Sequence, residues 1–440
     1  MTRNKVPYKT VAELAERRAL RKAVHLLYGC VLHYNGPGST GYGVKRTAML
    51  MPETAMLMIA PMGCSRSGTV PAEEFGFADR MFYLHIDDRS MASGAYLKQA
   101  HEAARSIAGT GEFKGLLICM TCLDALAGTD AASLAKSIAR ETGLTVTSTF
   151  MDPIARDGNF GPMVQVRKAI TDCIVSDGSA DTTPAVNLLG VFAQPADSCE
   201  LYEMLTPAGI AKIRTVAGCG TLAELRSMAN ARITIAVHPQ ALVSAADLEK
   251  RLGIPWVKAL TSYIPEQIEK QYEEIFALLG SPADSRNEKR RAAAEEALLR
   301  FGNDFQGKRI AVGEAIHGSP FDVARMLIRS GIAVPFVFRD MIRPDDLADI
   351  QALAAVAPEL RVYSGVDPAT CSAPEGLPET DIALGLDAGY FTPDAVSIGW
   401  DFGETSFGYE GIVRLIRMIR DGCADPHTHR EQMRGTYLTV

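Results

Sequence analysis

Long runs of like-charged residues and long apolar runs are both scarce in this chain. Its 440 residues include 45 basic and 52 acidic side chains, for a net charge of −7, and no long run has one sign. A nucleic-acid-binding protein usually shows a basic face, so this class is disfavoured. The most apolar stretch, TAMLMPETAMLMIAPMG, is interrupted by Pro52 and Glu53 and is too short to span a bilayer.

A secretory leader is also missing from the first thirty residues. They read as a polar lead and an amphipathic helix, without the apolar core of a signal peptide. With 47% hydrophobic residues and a mean hydropathy of +0.03, the chain has ample apolar material for a buried core. We therefore expect a soluble, cytoplasmic protein of two or three domains.

The cysteines number nine, and in a cytoplasmic protein they are not expected to form disulfides. Cys119 and Cys122 form a C-x-x-C pair, which by itself fits zinc or a redox dithiol. No second C-x-x-C or histidine pair follows at zinc-finger spacing, so a structural zinc is disfavoured. The chain is also far larger than a thioredoxin-like domain. We expect Cys119 to point from its strand into the core.

Short apolar runs alternate with helical patterns, which is typical of parallel βαβ units. Strands are expected in AMLMIAP, FYLHID, GLLICM and LTVTSTF, then in AVNLLGVF, IRTVAG and ARITIAVH, and finally in KRIAVGEAI, AVPFVF, TDIALGL and AVSIGW. A charged segment, helical in its middle, precedes the last group. We predict an α/β protein of three Rossmann-like subdomains with parallel sheets, over residues 1–180, 181–282 and 283–440.

Three cysteines occupy positions suited to a ligand site. Cys30 follows the first helical pattern, Cys64 comes directly after the AMLMIAP strand, and Cys122 follows GLLICM and opens the next helix. Open α/β sheets bind ligands at the carboxyl ends of their strands. Neighbouring glycines let the backbone approach a bulky group, and a helix N-terminus favours the Cys122 thiolate. Thiolates are the usual iron ligands of iron–sulfur clusters, so these three cysteines are candidate ligands of such a cluster.

The sequences around these cysteines resemble the nitrogenase component 1 family. APMGC is similar to the family's strand ending in Gly-Cys, and TCLDALAGTD to its T-C-x-x-x-x-x-G-D-D turn, with Thr129 for the first acidic residue. AGCGTLAELRSMANARITI is similar to its G-D-G-T-x-x-E-L segment, where Cys219 takes the place of an acidic residue. LGIPW and the late GYEG complete an ordered set that covers nearly the whole chain.

This resemblance implies an oxidoreductase complex. Each of two homologous subunits would give three cysteines, here Cys30, Cys64 and Cys122, to an eight-iron, seven-sulfur cluster (8Fe-7S, the P-cluster type) between them. The resemblance further implies a heterotetramer, a small-molecule substrate and a separate ATP-dependent, Fe-protein-like reductase that donates electrons. The resemblance is also compatible with a second complex iron–sulfur cofactor in the partner subunit.

Two positions bear on the type of subunit. In the family, the subunit that houses the catalytic cofactor has a cysteine after the strand that corresponds to ARITIAVHPQAL and a histidine before the late glycine motif. This chain has His238 and Phe407 there. The resemblance therefore favours the β-type (K-like) subunit. If the chain is α-type, His238 becomes a candidate cluster ligand; otherwise it is a histidine packed at a strand end.

The branch of the family is predicted from one loop. VKRTAMLMPETAMLMI is more similar to chlorophyllide-reductase-like and other nitrogenase-like sequences than to molybdenum nitrogenase, and among these branches we predict a methylthio-alkane reductase subunit. The alternatives are a subunit of a chlorophyllide or related tetrapyrrole reductase, a scaffold that holds a cofactor precursor without turnover, and the α-type subunit of the same complex. A metal-free periplasmic-binding-type protein is disfavoured because a signal peptide is missing.

Overall fold

A computed structural model describes residues 6–16, 25–27, 43–66, 72, 76–152, 161–176, 181–281, 287–372, 374–399 and 405–434. The strands in these ranges are β1 (Lys9–Thr10), β2 (His25–Leu26), β3 (Thr54–Ala60), β4 (Met81–His85), β5 (Gly115–Thr121), β6 (Thr145–Met151), β7 (Ala185–Leu189), β8 (Lys212–Arg214), β9 (Thr234–Ala236), β10 (Trp256–Lys258), β11 (Ile310–Val312), β12 (Phe336–Phe338), β13 (Met341–Ile342), β14 (Arg361–Tyr363), β15 (Ile382–Leu384) and β16 (Val396–Ile398).

The helices connect these strands and cover the sheets. They are α1 (Val11–Ala15), α2 (Gly43–Ala48), α3 (Met62–Arg66), α4 (Asp88–Ser93), α5 (Ala95–Gly109), α6 (Cys122–Leu126), α7 (Ala131–Thr142), α8 (Pro162–Thr171), α9 (Glu200–Leu205), α10 (Leu222–Ser227), α11 (Leu242–Leu252), α12 (Pro265–Leu279), α13 (Asn287–Asp304), α14 (Pro320–Arg329), α15 (Leu347–Val356), α16 (Pro368–Ser372), α17 (Leu386–Phe391), α18 (Gly408–Ala424) and α19 (His429–Arg434). Each of these helices is too short or too polar to cross a membrane.

The first subdomain is a four-stranded parallel sheet in the order β4-β3-β5-β6. Every residue of β3 and β5 is buried, because helices cover both faces of the sheet. Side chains alternate between the faces: Met56 and Cys119 lie in one core cluster, and Leu57 and Ile118 in the other. The carboxyl ends of the two central strands therefore open onto the same edge.

The second subdomain is another four-stranded parallel sheet, in the order β10-β9-β7-β8. Helix α11 ends at Gly253, whose φ of 70° closes the last turn. Helix α12 begins with Pro265 at its first turn and ends before Gly280.

The third sheet has six strands in the order β1-β14-β12-β11-β15-β16, parallel except for β1. Its first strand comes from the N-terminus, since Lys9 pairs with Val362. Strand β2 likewise pairs with β13, where Leu26 lies opposite Met341. Strands β1 and β2, which lie within the predicted first subdomain of residues 1–180, therefore pair with strands of the third. The sequence pattern did not indicate β14, a strand of three residues.

Helix α18 begins at a buried carboxylate that ties the second and third subdomains together. Glu200 on α9 accepts hydrogen bonds from the Tyr272 hydroxyl (2.7 Å) and from the backbone N–H groups of Tyr409 (2.5 Å) and Glu410 (3.2 Å). Such a carboxylate satisfies the free N–H groups of a helix start. Gly408 has a φ of 66°, and a Cβ there would clash with Tyr272 and Glu200.

We expect the substitution Gly408→Ala to lower the free energy of unfolding by about 2–4 kcal/mol, since it adds both left-handed strain and a clash with buried groups. Urea unfolding followed by circular dichroism measures the change.

Gly253→Ala is the matched control, because its φ is 70° and a Cβ there meets nothing within 4 Å. It should cost about 1 kcal/mol, the strain alone. Equal losses in the two variants would contradict the packing argument at Gly408.

Candidate functional site

Two of the three predicted cysteines lie together at the carboxyl edge of the first sheet. Strands β3 and β5 are parallel neighbours, with Met58 opposite Cys119. Cys64 lies on α3, just after β3, and Cys122 is the first residue after β5. Both are half-buried. Cys64 is close enough to act electrostatically on Cys122. Cys30 lies outside the described residues.

Local hydrogen bonds hold both cysteines on short helical turns. The fully buried Asp124 accepts hydrogen bonds from the backbone N–H of Thr121 (2.9 Å) and from its hydroxyl (3.2 Å), and this capping box starts α6 at Cys122. The backbone N–H of Cys64 donates to the Pro61 carbonyl at 3.0 Å. The positions of both sulfur atoms are therefore set by strand ends rather than by long loops.

The sequence predicted that the helix N-terminus would favour the Cys122 thiolate, and the net effect has the opposite direction. Burial first, then the charges of Cys64 and Asp152, raise the pKa of Cys122, while the backbone N–H groups of Cys122 and Leu123 lower it. The negative charges of Cys64 and Asp152 thus disfavour the thiolate of Cys122 as long as no metal ion is bound. Metal binding reverses this, because the positive metal stabilises the deprotonated ligands.

A buried lysine adds positive charge at this edge. Lys45 on α2 is 2% exposed, and its Nζ donates to the backbone carbonyl of Cys64 at 3.4 Å. Burial lowers the pKa of Lys45, and the nearby sulfurs of Cys119 and Cys64 act in the opposite direction. A cation here would offset part of the negative charge of a thiolate-bound cluster. The sequence analysis missed Lys45, since nothing in its spacing relates it to Cys64.

Cys119, the other member of the C-x-x-C pair, is a core residue. Cys119 is fully buried, as predicted, and burial raises the pKa of its thiol to about 12. All eight described cysteines are free thiols. No group of three or more His, Cys, Asp or Glu side chains within the described ranges is arranged to hold a metal ion. Cys64 and Cys122 by themselves form an incomplete ligand set.

The surface around the two cysteines is apolar. Met62 is 68% exposed, Leu123 40% and Leu126 71%, and all three lie on the short helices that carry the cysteines. Large exposed apolar side chains grouped at one place mark interaction surfaces. We call Met62, Leu123 and Leu126 the cysteine-edge patch.

His238 follows β9 and caps a short turn. Its Nδ1 accepts a hydrogen bond from the backbone N–H of Gln240 at 3.1 Å. Burial and then four nearby cationic groups lower the pKa of His238 well below its usual value: Arg167, Arg343, His317 and Arg339. The ring is therefore neutral, and its proton lies on Nε2, because Nδ1 is the acceptor. Neither nitrogen then offers a free lone pair to a metal unless this cap is broken.

Phe407 and Cys219, the two residues that depart from the family's motifs, make local packing and hydrogen-bond contacts. Phe407 is 2% exposed and packs edge-on against Tyr272, with ring centroids 6.0 Å apart. The thiol of Cys219 donates to the Thr215 carbonyl at 3.2 Å, and burial raises its pKa to about 11. Both side chains stabilise local packing in the structure.

A family model described as nitrogenase component 1 type oxidoreductase matches residues 39–423. The chain belongs to this family. Among solved structures, "Nitrogenase Cp1 at pH 6.5" matches with a TM-score of 0.68 and 15% identity, covering 91% of this chain and 95% of that one. This likeness confirms the predicted α/β fold with parallel sheets.

The curated relatives of this chain include NifE proteins and chlorophyllide reductase chains. The nitrogenase iron-molybdenum cofactor biosynthesis protein NifE of Rhodobacter capsulatus is 21% identical over 394 residues, which cover 85% of this chain and 82% of that protein. NifE of Klebsiella pneumoniae is 22% identical over 303 residues, covering 62% of this chain and 65% of that protein, just under two thirds of its length. The chlorophyllide reductase 52.5 kDa chain of Cereibacter sphaeroides is 23% identical over 380 residues, covering 80% and 72%.

Proposed function

We propose that this chain is the β-type subunit of a nitrogenase-like reductase, and that Cys30, Cys64 and Cys122 hold its share of an 8Fe-7S cluster between two homologous subunits. The observation that carries this proposal is the convergence of Cys64 and Cys122 on neighbouring strand ends beside the cysteine-edge patch. Proteins of this family generally bind iron–sulfur clusters and form complexes with partner subunits and a reductase.

The residues at this edge suit such a cluster. Sulfur donors are the usual iron ligands, and the described chain supplies two of them on rigid strand ends. Lys45 places a cation against the backbone of Cys64, which would favour the deprotonated sulfurs. When bound, the cluster supplies storage and transfer of electrons. The cysteines position it, and the cysteine-edge patch excludes water once a partner covers it.

The substrate we propose is a methylthio-alkane, from which the complex releases a thiol with electrons supplied by an ATP-dependent reductase. The loop VKRTAMLMPETAMLMI supports a nitrogenase-like branch other than molybdenum nitrogenase, and within it the methylthio-alkane is our choice. The similarity to a chlorophyllide reductase chain over 80% of this chain supports a tetrapyrrole substrate as the second candidate. The similarity to NifE supports a third, a scaffold that holds a cofactor precursor without turnover.

Anaerobic co-purification with the homologous partner and the reductase tests these candidates together. Iron and sulfide counts and the EPR spectrum report the cluster, and thiol release from a methylthio-alkane or reduction of chlorophyllide reports the substrate. An iron-loaded complex that turns over neither compound would favour the scaffold. A complex without iron and sulfide would contradict the proposal itself.

We expect His238→Ala to leave total iron and activity near wild type, because a β-type subunit would use this side chain only as a cap. Losing a cap costs about 1 kcal/mol of stability, so the thermal midpoint should fall slightly. Iron content, turnover and the EPR signals measure the outcome.

Cys64→Ala is the comparison for His238→Ala, since it should abolish activity by breaking electron transfer. A His238→Ala complex that lost a second cluster and all turnover, yet kept the signal of the shared cluster, would instead make this chain the α-type catalytic subunit.

A further inference from the structure

A small cavity of about 20 Å³ lies where α2 and α8 meet the end of β7. Its polar lining comprises Thr47, Arg167, Ser244 and Thr171; the first three are 1%, 7% and 1% exposed, and the Thr171 hydroxyl donates to the Arg167 carbonyl. In the described part of the chain, each of the first three has a buried polar atom without a hydrogen-bond partner: Thr47 Oγ1, Arg167 Nε and Ser244 Oγ. Three unsatisfied groups around one cavity indicate an occupant, because buried polar atoms are almost always paired.

Arg167 brings a positive charge to this cavity. It forms no ion pair with a carboxylate among the described residues, and burial lowers its pKa to about 10. Its guanidinium lies over the Phe192 ring at 5.1 Å, and Arg46 lies over the same ring at 4.9 Å. A cation–π contact offsets only part of the desolvation of a buried guanidinium. Arg167 therefore keeps its positive charge beside the cavity without a carboxylate partner among the described residues.

His238 lies against the wall of the cavity. His238 packs against Gly190, which lines the cavity, and a Cβ on Gly190 would come within 2.7 Å of the His238 Cβ. The imidazole is neutral for the reasons given above, and Arg343 is one of the cations that act on it. The other lining residues are apolar, including Leu188, and an apolar wall strengthens electrostatic attraction.

We propose that this cavity binds a small monovalent inorganic anion, chloride in the cell, held by Arg167 and by the hydroxyl groups of Thr47 and Ser244. A single water needs about 10–15 Å³, so the cavity accommodates an occupant of one or two atoms and excludes sulfate, phosphate and carboxylates. Water would satisfy the two hydroxyls and leave the guanidinium charge unbalanced. This site is separate from the cysteine edge and goes beyond the proposed function.

Bromide is the probe, because it resembles chloride and scatters anomalously. Crystals of the full chain, in its complex, are grown with sodium bromide, and data are collected at the bromine edge. We expect an anomalous peak in the cavity beside Arg167. In solution, bromide should raise the thermal midpoint more than sodium acetate of equal ionic strength, since acetate is too large to enter.

Three variants decide the outcome. Arg167→Met should lose both the peak and the bromide-dependent stabilisation, while Arg46→Met, which removes the other stacked arginine, should keep both. Ser244→Ala removes one donor, keeps the fold and should weaken bromide binding about fivefold to tenfold; it carries the test if Arg167→Met fails to fold. A cavity without an anomalous peak, or Ser244→Ala with unchanged bromide affinity, would overturn the proposal.

Discussion

Complexes with Cys64→Ala or Cys122→Ala, purified anaerobically with the partner, are expected to lose most of the iron and sulfide of the shared cluster and to be pale rather than brown. Each thiolate neutralises cluster charge and closes the coordination shell of an iron atom, so its loss leaves an open site. Cys30→Ala should behave in the same way. Iron and sulfide assays and the EPR spectrum measure the loss.

Cys119→Ala is the control for these variants. Cys119 lies only three residues before Cys122, yet its thiol is fully buried in the core and its pKa is raised to about 12 by burial. It should therefore keep full iron while losing about 1 kcal/mol of stability for the small cavity left behind. Unchanged iron in all of the Cys30, Cys64 and Cys122 variants would remove the cluster from this chain.

The second large effect is expected at the cysteine-edge patch. Leu126→Glu should prevent assembly with the homologous partner, because it would bury an unpaired carboxylate in the interface. Such a charge costs several kcal/mol, which corresponds to a loss of affinity of at least about 100-fold. The variant should run as an iron-poor monomer on a sizing column, and so should the wild-type chain made alone. The wild-type pair should form a heterotetramer around a two-fold axis.

Leu299→Glu is the matched control. Leu299 is 69% exposed on α13, nearly the same exposure as the 71% of Leu126, and it lies far from the cysteines in the chain. It should leave assembly and iron content unchanged. A stable monomer that contains its full iron, or equal losses in the two glutamate variants, would contradict an interface at the cysteine-edge patch.

Much of the cysteine site was predictable because it depends on strand order. Cys64 and Cys122 each follow a fully apolar run, and parallel strands present their carboxyl ends at one edge of the sheet. Their meeting needs only that β3 and β5 be neighbours. The direction of the pKa shift at Cys122 was not predictable, because it depends on burial and on Asp152, which follows another strand.

Pairings between distant segments of the chain could not be predicted from the sequence. Strands β1 and β2 have two residues each and show no periodicity, and they form only because β14 and β13 offer free edges. Lys45 reaches Cys64, and Arg167 reaches His238, across helix packing that no local pattern encodes. These contacts join residues far apart in the chain, so their geometry depends on how the subdomains pack.

The amino-acid order alone determined the α/β class, the positions of the main strands and helices and the placement of two cysteines at strand ends, because hydrophobic periodicity and turn residues act over a few positions. Only the tertiary structure decided which strands complete the third sheet and showed that the cysteine edge is apolar and exposed. It also showed that His238 is a neutral cap and that Arg167 lies beside a cavity without a carboxylate partner among the described residues. Burial and electrostatics sum over groups brought together from distant segments, and that sum exists only in the folded chain.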